Sequence, residues 1–181
     1  MSKLWKSVWV LGSTVMGLAL SAPVLAVTSG VGPYYATPSW DQTLPAATRF
    51  IVLTNMNSEA VLDRETGLVW EQSPSQAASN WFLASIHCVQ LSNGGRKGWR
   101  LPSIEDLASL IDPTQINPSL PSGHPFSNVL GTVYWSATTR AVNTAGAWRV
   151  DFYTAVVGFD DKTIGNERAW CVRGGQGVDP Q

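Results

Sequence analysis

A chain of 181 residues with a formal net charge of −1 and only 14% charged residues has no bulk positive charge with which to hold nucleic acid or an anionic membrane. Two cysteines and two histidines make a thin ligand set for a structural metal. The sequence carries no internal repeat, which excludes solenoids and propellers.

The first predicted element is an export signal. Lys3 and Lys6 precede an uncharged, mostly apolar run from Val8 through Leu20, and Ser21-Ala22-Pro23-Val24-Leu25-Ala26 offers small residues to a signal peptidase. Gly12, Ser13, Thr14, Gly17 and Pro23 interrupt or follow that run, which disfavours the competing reading of a retained transmembrane anchor. Cleavage is expected after Ala26, so residues 1–26 are the signal peptide and no membrane span follows. No cysteine would stand at the new N-terminus, so no lipid anchor is expected. Taking 26 residues from 181 leaves 155, a length that suits one domain with its own core. Lys3 and Lys6 go with the signal, so 10 basic residues face 13 acidic ones, a net charge of −3. The expected destination is the periplasm or the medium.

Residues 27–59 read as a lead-in rich in Gly, Pro, Ser and Thr, ending in one short strand at Arg49-Phe50-Ile51-Val52-Leu53. The core is expected to begin near residue 60, where Ala60-Val61-Leu62-Asp63 and Leu68-Val69-Trp70-Glu71 flank Arg64-Glu65-Thr66-Gly67 as a hairpin. Ser73-Pro74-Ser75-Gln76 has the pattern of a capping box with proline at the first helical position. The helix predicted from it carries Ala77, Ala78, Trp81, Ser85, Cys88 and Leu91 at helical spacing and stops at Asn93-Gly94-Gly95. A second helix starts at Ser103-Ile104-Glu105-Asp106, with Ile104, Leu107, Ala108 and Ile111 as its apolar stripe and Pro113 as its end. An ordered surface loop is expected between Asp112 and Pro125. Four strand-like runs follow, at 133–139, 147–153, 155–159 and 169–173. In the second of these, Trp148, Val150 and Phe152 alternate with Arg149, Asp151 and Tyr153, giving one buried and one wetter face. The fold class is α+β: two helices packed on short, mostly antiparallel sheets.

Cys88 and Cys171 both fall in the exported part, and an even count in an oxidising compartment favours one bridge over a metal pair or a catalytic thiol. Cys88 shares a helix face with Trp81, so its thiol is expected to point inward.

Asp63 through Trp70, Cys88, the run Gly94-Gly95-Arg96-Lys97-Gly98-Trp99-Arg100-Leu101-Pro102, Tyr134-Trp135-Ser136-Ala137-Thr138, Ala147-Trp148 and Cys171-Val172-Arg173-Gly174-Gly175 occur in that order. In this the chain resembles the Lcl C-terminal domain family, the terminal domain of a bacterial collagen-like adhesin, over residues 60–175, with 176–181 as a tail. The resemblance implies a C-type-lectin-like fold in which first and last strands pair, two helices flank the sheet, and the helix cysteine bridges to the closing strand. It does not extend to a trimeric stalk, because no Gly-X-Y repeat is present.

Seven tryptophans follow residue 26, and Trp70, Trp81, Trp99, Trp135, Trp148 and Trp170 all sit in predicted elements or in the family motifs, where core filling outweighs sugar stacking. The Glu-Pro-Asn, Gln-Pro-Asp and Trp-Asn-Asp tripeptides that hold calcium in many sugar-binding C-type lectins are absent. Asp160-Asp161 with Asn166 and Glu167 is the one conceivable calcium set, and a solvated acidic pair explains it better. No metal and no cofactor are therefore assigned. Neither a nucleophile elbow, nor His-Glu-x-x-His, nor a phosphate loop is found, so no enzyme is expected. His87 reads as a helix-surface neighbour of Cys88 and His124 as a loop residue.

Ligand contacts, if any, are expected between Ser136 and Arg168, where Arg140, Asn143, Arg149, Asp151, Tyr153, Lys162, Asn166 and Arg168 supply polar groups. Arginine and lysine there suit the sulfates or carboxylates of an acidic polysaccharide. The expected function is a non-catalytic binding module for acidic polysaccharide or another cell-surface glycan; the alternative is a protein-interaction or structural component of the envelope.

Overall fold

The structure is a computed structural model that describes residues 44–174. The signal peptide, most of the lead-in and the tail lie outside the described residues.

Four strands, β1 (Phe50–Val52), β2 (Ala60–Asp63), β3 (Val69–Glu71) and β7 (Val172–Arg173), form an antiparallel sheet in the order β1-β2-β3-β7. The predicted hairpin is β2–β3, with Val61 opposite Trp70. Asp63 builds its turn: its Oδ1 accepts the Glu65 amide at 3.0 Å and its carbonyl accepts the Gly67 amide at 2.8 Å. Gly67 sits at φ 71°, a left-handed conformation that suits glycine. Pairing of the first strand with the last is not what the sheet shows. The closing strand lies on β3, with Trp70 opposite Val172, and β1 adds to the far side of β2.

The core reaches back beyond residue 60, to Ala46 and Phe50, through a single helical turn, α1 (Ala46–Arg49). Arg49, expected in a loose lead-in, is 1% exposed. Its Nε and Nη2 hold the two carboxylate oxygens of Asp63 at 2.9 and 2.7 Å, Nη2 also donates to the Ser109 carbonyl at 2.8 Å, and Nη1 lies 3.3 Å from Glu65. A buried guanidinium needs such a forked set of acceptors to offset its desolvation.

Helix α2 (Trp81–Gln90) starts later than the Ser73-Pro74-Ser75-Gln76 pattern predicts. Residues 73–79 stay non-helical because their backbone is taken by another segment. The Ser79 amide donates to the Glu167 carbonyl at 2.7 Å, and the Gln76 carbonyl accepts from Arg168. The cap is Asn80, whose Oδ1 accepts the Leu83 amide at 3.0 Å. Ala77 and Ala78 are accordingly exposed, while Ala84 and Cys88 are buried. Helix α3 (Ile104–Ala108) begins where the sequence places it, with a full capping box between Ser103 and Asp106.

Strands β4 (Val133–Thr139), β5 (Gly146–Asp151) and β6 (Val156–Asp161) form a second antiparallel sheet in the order β4-β5-β6. Val150 and Phe152 are buried as the alternation predicts; Trp148 is only half-buried, set edge-on against Phe159. Trp170 packs against Trp70, Phe126, Tyr134 and Phe152 with centroids 4.9–5.7 Å apart, closing one core cluster. The other gathers Trp99, Trp135, Ala84 and Ala147 around the disulfide. Trp70, Trp99, Trp135 and Trp170 are core, as expected, and Trp81 is half-buried. Cys88 and Cys171 are bonded, with Cα atoms 5.3 Å apart, which ties α2 to the residue that precedes β7. The fold is α+β, with two antiparallel sheets, few helices and one disulfide.

Candidate functional site

The β4–β5 connection is a tight structure. The Arg140 amide donates to the Gly146 carbonyl at 2.9 Å, the Gly146 amide to the Asn143 carbonyl at 3.0 Å, and Asn143 Oδ1 accepts the Ala145 amide at 3.1 Å. Across β5, Gly146 faces Asp161 and Ala147 faces Asp160. A side chain at Gly146 would meet the Asp160 carbonyl 3.3 Å away, so a small residue there lets the turn lie close on β6. Between turn and strand is a half-open groove of about 330 Å³, lined by Arg140, Asn143, Phe159, Asp160, Asp161 and Ile164. The Arg140 guanidinium lies over the Phe159 ring, 3.7 Å from its centroid.

The eight sequence candidates do not form one site. Arg140 and Asn143 line the groove. Lys162 stands beside it but is engaged, its Nζ donating to Thr139 Oγ1 at 2.8 Å and lying 4.4 Å from the Trp81 ring centroid. Arg149 is held by Asp160 at 2.6 Å. Arg168 donates to the Gln76 carbonyl and to Thr132 Oγ1, both at 3.1 Å. Asp151 caps the β5–β6 turn by accepting from the Tyr153 amide and Thr154 Oγ1, both at 2.8 Å. That turn, with exposed Tyr153, is at the other end of the hairpin from Gly146, roughly 17 Å away at strand rise. Asn166 is exposed.

Gly146, Phe159 and Ile164 line the groove without having been singled out in the sequence. The alternation of Val157, Phe159 and Asp161 along β6 was a usable signal, because residues two apart share a strand face.

The conceivable calcium set is otherwise occupied. Asp161 Oδ1 accepts the Thr163 amide and hydroxyl at 2.9 and 2.7 Å, bonds that hold its carboxyl below the usual range. Glu167 is 3% exposed; burial first, then a hydrogen bond to Asp160 and repulsion from it, push its pKa to about 8 against the opposing pull of Arg149. Asp160 thus stands between Arg149 and the buried Glu167. Among the described residues, Glu71, His87 and Cys171 also bring potential ligand atoms within 4.8 Å, but the Cys171 sulfur is spent in the disulfide. Burial raises Glu71 to about 7, against hydrogen bonds from the Cys171 amide and Asn93.

A search of curated proteins returns no match. The family model described as the Lcl C-terminal domain matches residues 59–173, from the residue before β2 to the last residue of β7. It takes in both cysteines, both helices of the central region and the whole groove, and on that evidence the chain belongs to the Lcl C-terminal domain family.

Proposed function

We propose that this protein is an exported, non-catalytic binding module with a C-type-lectin-like fold, and that the groove between the β4–β5 turn and β6 is where it meets a cell-surface glycan. Support for the fold is the helix cysteine bonded next to the closing strand, above two antiparallel sheets. Support for a periplasmic or secreted site is the buried disulfide, a bond that persists in oxidising compartments; among the described residues no helix is long and apolar enough to cross a membrane. Against catalysis stands the engagement of the two carboxylates that line the groove: Asp160 is paired with Arg149, and Asp161 Oδ1 accepts from the Thr163 amide and hydroxyl.

The observation that carries the ligand reading is the mixed lining of the groove, one guanidinium, one amide and two carboxylates beside an aromatic ring. Convergent donors and acceptors of that kind suit sugar hydroxyls. They suit an acidic polysaccharide less well, because Arg149, Lys162 and Arg168 are held by internal partners. A glycan array probed with the oxidised full chain should show binding to neutral glycans that weakens at least about tenfold with Arg140→Ala, the loss of roughly one charge-assisted hydrogen bond. Binding confined to sulfated or uronic glycans and abolished by salt would restore the acidic ligand. No binding to any glycan would remove the reading.

A protein partner is the second reading. It is favoured by β6, an edge strand whose Val156, Val157 and Phe159 are 42–51% exposed, since an open edge accepts an added strand. Recovery from envelope extract of one stoichiometric protein, lost when β6 is changed, would select it.

A further inference from the structure

Helix α2 has an outer face that the groove does not use. Phe82 is 53% exposed, Leu83 56%, Ile86 50% and Val89 67%. Their spacing puts them on one stripe, and the ten residues of α2 include no Asp, Glu, Lys or Arg. A contiguous apolar surface of this kind marks a contact face. Side chains this exposed on a helix form a ridge, not a groove.

Cations stand at both ends of the ridge. At the N-terminal end Lys162 lies over the Trp81 ring. At the C-terminal end Lys97 Nζ donates to the Gln90 carbonyl at 3.4 Å, Arg96 is exposed beside it, and Arg173 donates to the Lys97 carbonyl at 2.7 Å. Glu71 approaches α2 from its buried side; on the exposed side stand Asp161, whose Oδ1 is bonded to Thr163, and Glu59, which accepts the Gly94 amide. In a chain with more acids than bases, this face is locally basic.

We propose that the outer face of α2 is a peripheral docking surface for an anionic lipid bilayer. A helix of ten residues is roughly 15 Å long. Lying in the plane of the interface, it would put its apolar stripe at the acyl boundary and the exposed Arg96 and Lys97 at its C-terminal end among anionic headgroups. A second copy of the chain fits less well. Two-fold pairing of α2 would need the exposed Arg96 and Lys97 to find acids on the other copy, where Asp161 is already bonded to Thr163 and Glu59 to the Gly94 amide. A helical peptide calls for a groove.

The test is co-sedimentation of the full chain with vesicles of phosphatidylcholine alone and of phosphatidylcholine mixed with phosphatidylglycerol. The expected result is capture by the mixed vesicles, weakened by salt, and lower by at least about fivefold on phosphatidylcholine alone, for Leu83→Glu with Ile86→Glu, and for Arg96→Glu with Lys97→Glu. All four positions are exposed, and circular dichroism verifies that the variants are folded. Residues 1–43 are the same in every variant, so differences between variants on one kind of vesicle report on the substituted face. Absence of capture, equal capture on both lipids, or capture untouched by both double substitutions overturns the proposal. So does a concentration-dependent dimer that Leu83→Glu dissolves, which would assign the face to a second copy.

Discussion

At the four-stranded sheet, Arg49 of α1 and Asp63 of β2 keep 1% and 0% of their side-chain surface, and the guanidinium also holds the Ser109 carbonyl 60 residues away. In the three-stranded sheet the same pair of residue types, Arg149 and Asp160, keeps 22% and 33%. One chemistry does two jobs. Where water is excluded, the ion pair is a staple that joins α1, the β2–β3 turn and the segment after α3, and each partner depends on the other. Where water reaches it, the pair is worth little to stability, and its sheet carries the half-open groove and, among the described residues, an edge strand at β6. The covalent tie follows the same division: Cys88–Cys171 joins α2 to the closing strand of the four-stranded sheet.

The largest expected effect comes from breaking that tie. With the cysteines 83 positions apart, Cys88→Ser with Cys171→Ser should cost about 4 kcal/mol by the chain-entropy argument, read from urea denaturation of the oxidised and substituted chains. Next is Arg49→Ala, which leaves Asp63 and Glu65 without their buried cation and should cost at least about 3 kcal/mol. If Arg49→Ala costs less than about 1 kcal/mol, the value of an exposed pair, the contrast between the sheets fails at its first term.

The pH dependence sharpens the comparison, because one buried acid with a raised pKa sits in the four-stranded sheet and another lies against Asp160 of β6. Burial raises Glu71 of β3 to about 7, and Glu167, against Asp160, to about 8, from 4.5. In the folded chain both hold a proton that the unfolded chain releases near 4.5. Their stabilising contributions are therefore complete below about pH 4.5 and are lost as pH rises through 7 and then 8. Stability should fall across that window by up to about 1.4 kcal/mol per pH unit for each group. Glu71→Gln should flatten the part that ends near 7, and Glu167→Gln the part that ends near 8, in denaturation curves recorded from pH 4.5 to 8.5.

What was legible in the sequence was local. The β2–β3 hairpin, the start of α3 at Ser103 and the inward cysteine all follow from residues no more than about a dozen positions apart, so their physics is contained in the string. The start of α2 was not, because Asn80 prevails over Ser73 only once Glu167 and Arg168 have taken the backbone at 79 and 76. Arg49 gave no signal at all: arginine is rarely buried, and its acceptors lie 14 and 60 positions away. The groove was half visible. Arg140 and Asn143 stood out as polar residues in a long segment, but Gly146 and Phe159 acquire a role only through the β5–β6 register, and that same register and the loops around it explain why Arg149, Lys162 and Arg168 are spent.

The smallest expected effect on stability is the most telling for function. Arg140→Ala removes a guanidinium stacked on Phe159, worth about 0.5 to 1 kcal/mol at an exposed ring, and leaves the turn intact, since the bonds that shape it are donated by the backbone amides of residues 140, 145 and 146, the second of them to Asn143 Oδ1. Thermal and urea denaturation should thus barely separate this variant from the parent, while glycan binding drops. The two arginines then form a matched pair of tests: Arg49→Ala destroys stability, and Arg140→Ala spares it and removes the ligand contact. Should Arg140→Ala prove as destabilising as Arg49→Ala, the stack on Phe159 would be a structural clasp, and the groove beneath it would have no group left to offer a sugar except carboxylates and one amide.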